Sequence, residues 1–148
     1  MMSLLAALLL APVAGWTSHR GSPENLGQAA SLKPPLKVLW KRTFEAMLDG
    51  SPAILGSRAV VPVMDGSLIC LDLKTGKTLW RFRSPSAFSA SPLISGQRVF
   101  IGDEGGEFHA LSLSDGKPLW KVATGDKIVS SAQASGTLII FGSYDAHV

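Results

Sequence analysis

From Val38 onward, short apolar runs alternate with turns centred on Gly or Asp, and the whole pattern returns every 40 residues. Ala53-Ile54-Leu55 and Leu93-Ile94 each end just before a glycine, Gly56 and Gly96; the third copy, Gln133-Ala134 before Gly136, is more polar. A β-branched or aromatic run follows each glycine: Ala59-Val60-Val61, Val99-Phe100-Ile101 and Ile139-Ile140-Phe141. Then come Asp65-Gly66, Gly105-Gly106 and Asp145-Ala146. Asp-Gly or Gly-Gly between apolar runs is a strong hairpin signal, because both central residues take positive φ. Ala146 breaks the rule and is expected to strain its turn.

A third run contains Leu68, Cys70, Leu71 and Leu73, matched by Phe108, Ala110, Leu111 and Leu113. Thr75-Gly76-Lys77 and Asp115-Gly116-Lys117 then turn the chain into Leu79-Trp80-Arg81-Phe82 and Leu119-Trp120-Lys121-Val122. Each period thus predicts four short strands in an antiparallel meander, the unit of a β-propeller blade. One such sheet cannot bury both faces alone and must stack on a neighbour. Trp40, Trp80 and Trp120 lie one period apart, where a large indole fills the gap between blades and its N–H requires an acceptor.

The predicted fold is therefore all-β: a partial β-propeller of about two and a half four-stranded blades, with repeats at 41–80 and 81–120 and a partial one at 121–148. Val38-Leu39-Trp40 reads as a fourth strand without its first three. Propellers close with at least about four blades. The chain is accordingly read as an incomplete, truncated propeller whose open sheet faces call for missing blades or a protein partner.

The segment Leu68–Trp80 closely resembles the tryptophan-docking repeat of the pyrroloquinoline-quinone (PQQ-like, quinoprotein-type) propeller family. Asp65-Gly66, Leu71-Asp72, Thr75-Gly76-Lys77 and Trp80 match that repeat, as do Gly106, Ala110-Leu111, Gly116-Lys117 and Trp120; Ser112 departs at the Asp position. The resemblance covers Lys37 to Val148. The Gly-His and Trp-Asp marks of the similar WD40 repeat are absent. The resemblance implies a non-catalytic interaction scaffold, as in outer-membrane assembly lipoproteins, or a piece of a quinone-dependent dehydrogenase; a sensory or ligand-binding propeller attached to a larger protein is permitted, but no residue supports it. Such enzymes hold the quinone beside Ca²⁺ at the propeller axis with an Asp base, and some carry an adjacent-cysteine pair that a chain with one Cys cannot form.

Residues 1–15 form a different kind of segment. Leu4 to Ala11 is apolar, too short to span a bilayer, and is followed by Pro12-Val13-Ala14-Gly15, the order of a signal peptide. No Lys or Arg precedes the run. Trp16 stands where lipidation needs Cys, so no lipid anchor is expected. Residues 16–36, with Pro34-Pro35, read as an extended lead-in. A periplasmic or secreted location follows from this reading.

Composition adds exclusions more than assignments. Of the 148 residues, 46% are hydrophobic and 17% charged, a globular balance. The net charge of +3 is spread along the chain without a basic run, which argues against nucleic acid. Cys70 sits among Leu68, Ile69 and Leu71 and reads as a small buried apolar residue. Asp65, Asp72, Asp145 and Asp103-Glu104 fall in turns or at repeat positions, where solvated carboxylates are expected rather than a metal site. His19, His109 and His147 lack ligand spacing. Ser51, Ser91, Ser130 and Ser131 have no nucleophile elbow. Lys41, Arg81 and Lys121 share one repeat position on the last strand and read as a solvated rim. No catalytic, cofactor or metal residue is assigned, and the function expected is a non-enzymatic scaffold.

Overall fold

The alternation of apolar runs and positive-φ turns folds as the pattern requires. The computed structural model describes residues 2–7, 17–18 and 37–148, and no helix occurs among them. Strands β3 (Ala53–Leu55), β4 (Arg58–Pro62), β5 (Ser67–Asp72) and β6 (Thr78–Arg83) form one antiparallel meander. Strands β7 (Leu93–Ser95), β8 (Arg98–Gly102), β9 (Glu107–Ser112) and β10 (Pro118–Ala123) form the next. The registers repeat at one period: Val60 faces Cys70 across one ladder and Phe100 faces Ala110 across the other. A third unit begins with β11 (Gln133–Ser135) and β12 (Leu138–Ile140). Ahead of them, β1 (Met2–Ala7) pairs with β2 (Val38–Phe44).

The fold is thus a set of propeller blades. The rest of the 1–15 segment expected as an export leader, and nearly all of the lead-in, lie outside the described residues. Within the lead-in, Thr17 accepts a hydrogen bond from the Ile94 amide at 2.6 Å, and Ser18 is buried.

The core lies between blades. Leu68, Cys70 and Trp80 of the first complete blade pack with Val99, Ile101 and Leu111 of the second, and Phe88 from the connecting loop completes the cluster. On the far face of the second blade, Phe100, Phe108 and Ala110 meet Ile128 and Ala132 of the third. Phe108 stacks there on Phe141 with centroids 3.7 Å apart. Serine backbones stitch the sheets one period apart: the Ser51 amide donates to Ser91 Oγ at 2.9 Å, and the Ser91 amide to Ser131 Oγ at 3.1 Å.

The indoles lock the seams. Trp80 Nε1 donates to the Leu113 carbonyl of the next blade at 2.9 Å, and Trp40 Nε1 makes the same bond to Leu73. Each ring lies on a glycine: a Cβ at Gly116 would come within 2.5 Å of Trp80, and one at Gly76 within 2.7 Å of Trp40. Gly76 and Gly116 therefore serve as the seat of the preceding blade's indole as well as the turn. The hairpin turns differ from the expectation of two positive-φ residues: φ is 83° at Gly66 and Gly106, but Asp65 and Gly105 before them do not take positive φ. Each turn closes from the Gly66 or Gly106 amide to the carbonyl of Val63 or Asp103 and needs only one left-handed residue. Ala146 is forced to φ 68°, the strain expected of it.

Trp120 differs from its equivalents. It is 44% exposed where Trp80 is 7% exposed, and it rests on Phe100 and Phe108 of its own blade. Trp80→Ala should therefore cost about 3 kcal/mol of stability, the usual range for deleting a buried aromatic. Trp120→Ala should cost less than about 1 kcal/mol, as surface changes do. Gly116→Ala should resemble Trp80→Ala in direction, since it meets both the ring and a φ of 72°. Urea unfolding of the three variants checks this ordering.

Candidate functional site

One set of positions changes chemistry from blade to blade. At the seam below the first complete blade, Phe44, Val63 and Ile69 belong to one apolar cluster. One period later the same positions hold Ser84, Asp103 and His109, and all three are buried. Another period on, Thr124 and Ser143 occupy the first two, and Ser143 Oγ donates to Thr124 Oγ1 at 3.1 Å. The second blade thus replaces an apolar cluster by a hydrogen-bonded node.

Asp103 is the centre of that node. Its Oδ1 accepts the Gly105 and Glu107 amides at 2.9 Å each. Its Oδ2 accepts Ser84 Oγ at 2.5 Å and lies 2.8 Å from His109 Nε2. The His109 ring packs at 5.3 Å from Phe82 and edge-on to Phe88 at 5.9 Å. Burial alone would raise the Asp103 pKa. The hydrogen bonds from His109, Ser84 and the Glu107 amide overcome it and hold the carboxyl below its ordinary 3.8. The turn thus does not leave Asp103 solvated, as its loop position led one to expect; Glu104 beside it is exposed.

Ligand atoms of Asp103, Glu107 and His109 lie within 4.8 Å of one another, the spacing of a cation site. Both Asp103 oxygens and one Glu107 oxygen are engaged, however. Glu107 Oε1 accepts Lys121 Nζ at 2.6 Å, and both Asp103 oxygens carry two donors or a shared proton. Ser84 and His109 bond the same carboxylate oxygen, so no Ser–His relay exists, and the order required of a nucleophilic triad is absent. Above the node, between the outer strands β6 and β10, lies a groove of about 390 Å³ lined by Phe82, Pro85, Glu107, His109, Leu119 and Lys121.

The remaining candidates are dispersed. Asp65, Asp72 and Asp145 bond nearby turn amides at Ser67, Thr75 and His147, as turn residues do. Ser130 Oγ donates to the Gly142 carbonyl at 2.7 Å and is half-buried, while Ser51, Ser91 and Ser131 form the inter-blade ladder. Lys41, Arg81 and Lys121 are exposed on the outer strands. His147 is exposed, and His19 lies outside the described residues. Cys70 is buried, and desolvation outweighs the nearby Arg58 charge to push its thiol up to about 11.

A stack of tryptophan-docked, four-stranded blades defines a propeller repeat protein. The profile of the family described as outer membrane protein assembly factor BamB matches residues 29–145, and the chain belongs to that family. Among solved structures, BamB from Moraxella catarrhalis is 30% identical with a TM-score of 0.54, over 60% of this chain and 27% of that one. A europium-containing methanol dehydrogenase shares the fold at 20% identity and a TM-score of 0.56, over 61% of this chain and 19% of that one. The computationally designed Ika8 protein does so at 18% identity and a TM-score of 0.58, over 64% of this chain and 30% of that one. The chain thus spans less than a third of the length of each. Among curated proteins, none matches it.

The node gives a pH test. Because the folded Asp103 carboxyl titrates below its ordinary 3.8, its stabilisation is fully present above that pH and disappears as the pH falls through the lower folded value. Asp103→Val alone should cost about 2 kcal/mol or more at pH 7, since it leaves His109 and Ser84 buried without their acceptor. Transplanting the earlier blade's trio (Ser84→Phe, Asp103→Val, His109→Ile) should recover most of that loss and flatten the acid limb. Unfolding midpoints between pH 2 and 7 measure both effects.

Proposed function

We propose that the chain is a non-catalytic PQQ-like repeat module that presents propeller blades to a protein partner in an exported compartment, with residues 1–15 as its leader. One observation carries the reading: the family described as outer membrane protein assembly factor BamB matches residues 29–145, a span that holds every complete blade. The name of the matching family, an assembly factor, supports the same reading. The Asp103 node adds to it, because a carboxylate saturated by four donors has no capacity left for a reacting group.

The second reading, a piece of a quinone-dependent dehydrogenase, draws on the fold shared with the methanol dehydrogenase. Titration with pyrroloquinoline quinone and Ca²⁺, read by dye-linked alcohol oxidation, separates the two. The scaffold reading expects no turnover above a buffer blank. Saturable turnover would overturn it.

A further inference from the structure

The pairing of β1 with β2 carries information that the apolar composition of β1 does not. In the first complete blade, β5 lies on β6 with Ser67 opposite Arg83, Leu68 opposite Phe82, Ile69 opposite Arg81 and Cys70 opposite Trp80; the register then slips, and Leu71 meets Thr78. On β2, Ser3 lies opposite Thr43, Leu4 opposite Arg42, Leu5 opposite Lys41 and Ala6 opposite Trp40; the register then slips, and Ala7 meets Val38. Subtracting one period from β6 gives β2, so β1 holds the place of a third blade strand residue for residue, including the irregularity. The third such ladder agrees: Ala110 faces Trp120, and beyond the slip Leu111 faces Pro118. The residue opposite the docking tryptophan is Ala6, Cys70 or Ala110, small in every case. Beside it, Ser3-Leu4-Leu5 parallels Ser67-Leu68-Ile69.

We propose that Met2–Ala7 is a surrogate third blade strand, which caps the edge of β2 for as long as the leader stays attached. The physical case is that of any sheet edge. An uncovered β2 presents unpaired N–H and C=O groups to other chains. Beside β2, Trp40 is docked on Gly76 and Arg42 Nη1 donates to the Gly76 carbonyl at 2.9 Å, so the acceptor strand is already fixed against the next blade. A preformed edge needs only a strand with a small residue opposite the indole and apolar neighbours, and the leader supplies one. Removing residues 1–15 would uncover that edge, so processing of the leader would act as the step that makes β2 available for pairing. The strand assignment stands on the register alone, whereas its removal by processing rests on the reading of residues 1–15 as a leader.

The test uses the full chain with Cys70→Ala, a change the repeat itself makes at Ala110. Leu5→Cys with Lys41→Cys places two thiols directly opposite, within the Cα range a disulfide accepts. Leu4→Cys with Lys41→Cys is one residue out of register and puts them on opposite faces of the sheet. Mild oxidation should cross-link the first pair at least about tenfold more than the second, given that geometry. Equal cross-linking, or none in either, would overturn the proposal. A second readout avoids new thiols: in the full chain carrying Leu5→Pro, β2 amides should exchange about tenfold faster than in the parent, while those of β5 and β9 are unchanged. Unchanged β2 exchange would contradict it.

Discussion

The structure depends on one contact repeated at the first two seams: an indole from the last strand of a blade lies on a glycine of the next and donates its N–H to a carbonyl three residues before that glycine. Trp40 with Gly76 and Leu73, and Trp80 with Gly116 and Leu113, are the two instances. The contact combines burial of a large flat ring, satisfaction of its single donor and a backbone approach that only a residue without Cβ allows. Since blades touch only their neighbours, the stability of the stack is close to a sum over seams. The serine ladder and the aliphatic cluster around Phe88 add area to a geometry the indole sets.

This repeat logic also explains where variation is permitted. Residues of the docking contact recur unchanged, while the cluster beneath the end of each outer strand is Phe44, Val63 and Ile69 in one copy and Ser84, Asp103 and His109 in the next. Either solution works because each is internally complete: one is fully apolar, the other has every carboxylate lone pair matched to a donor. A mixture of the two would strand a buried polar group.

Much of the fold was legible because each blade is built from local signals. Trp80 and Trp120 fixed the period, Asp65-Gly66 and Gly105-Gly106 fixed the turns, and the strain at Ala146 could be read from one residue type. Three features were not legible, each for a physical reason. Gly76 and Gly116 looked like turn residues alone, since their second task depends on a ring from a different blade. Asp103 looked solvated, because its Ser84 partner lies 19 positions away and no spacing rule links them. Met2–Ala7 read as an apolar leader, and a short apolar run carries no periodicity that separates a leader from a buried strand. With no recognisable catalytic motif in the sequence, function was left to the family match.

The most direct measurement is hydrogen exchange at the indole N–H groups by nitrogen-15 NMR, with Trp40, Trp80 and Trp120 assigned by single replacement. The account expects Trp80 Nε1–H to exchange slowest, Trp40 to be protected as well, and Trp120 to exchange at close to the rate of free indole. A protected Trp120, or a Trp80 that exchanges as fast as Trp120, would contradict the claim that docked indoles hold the blades together.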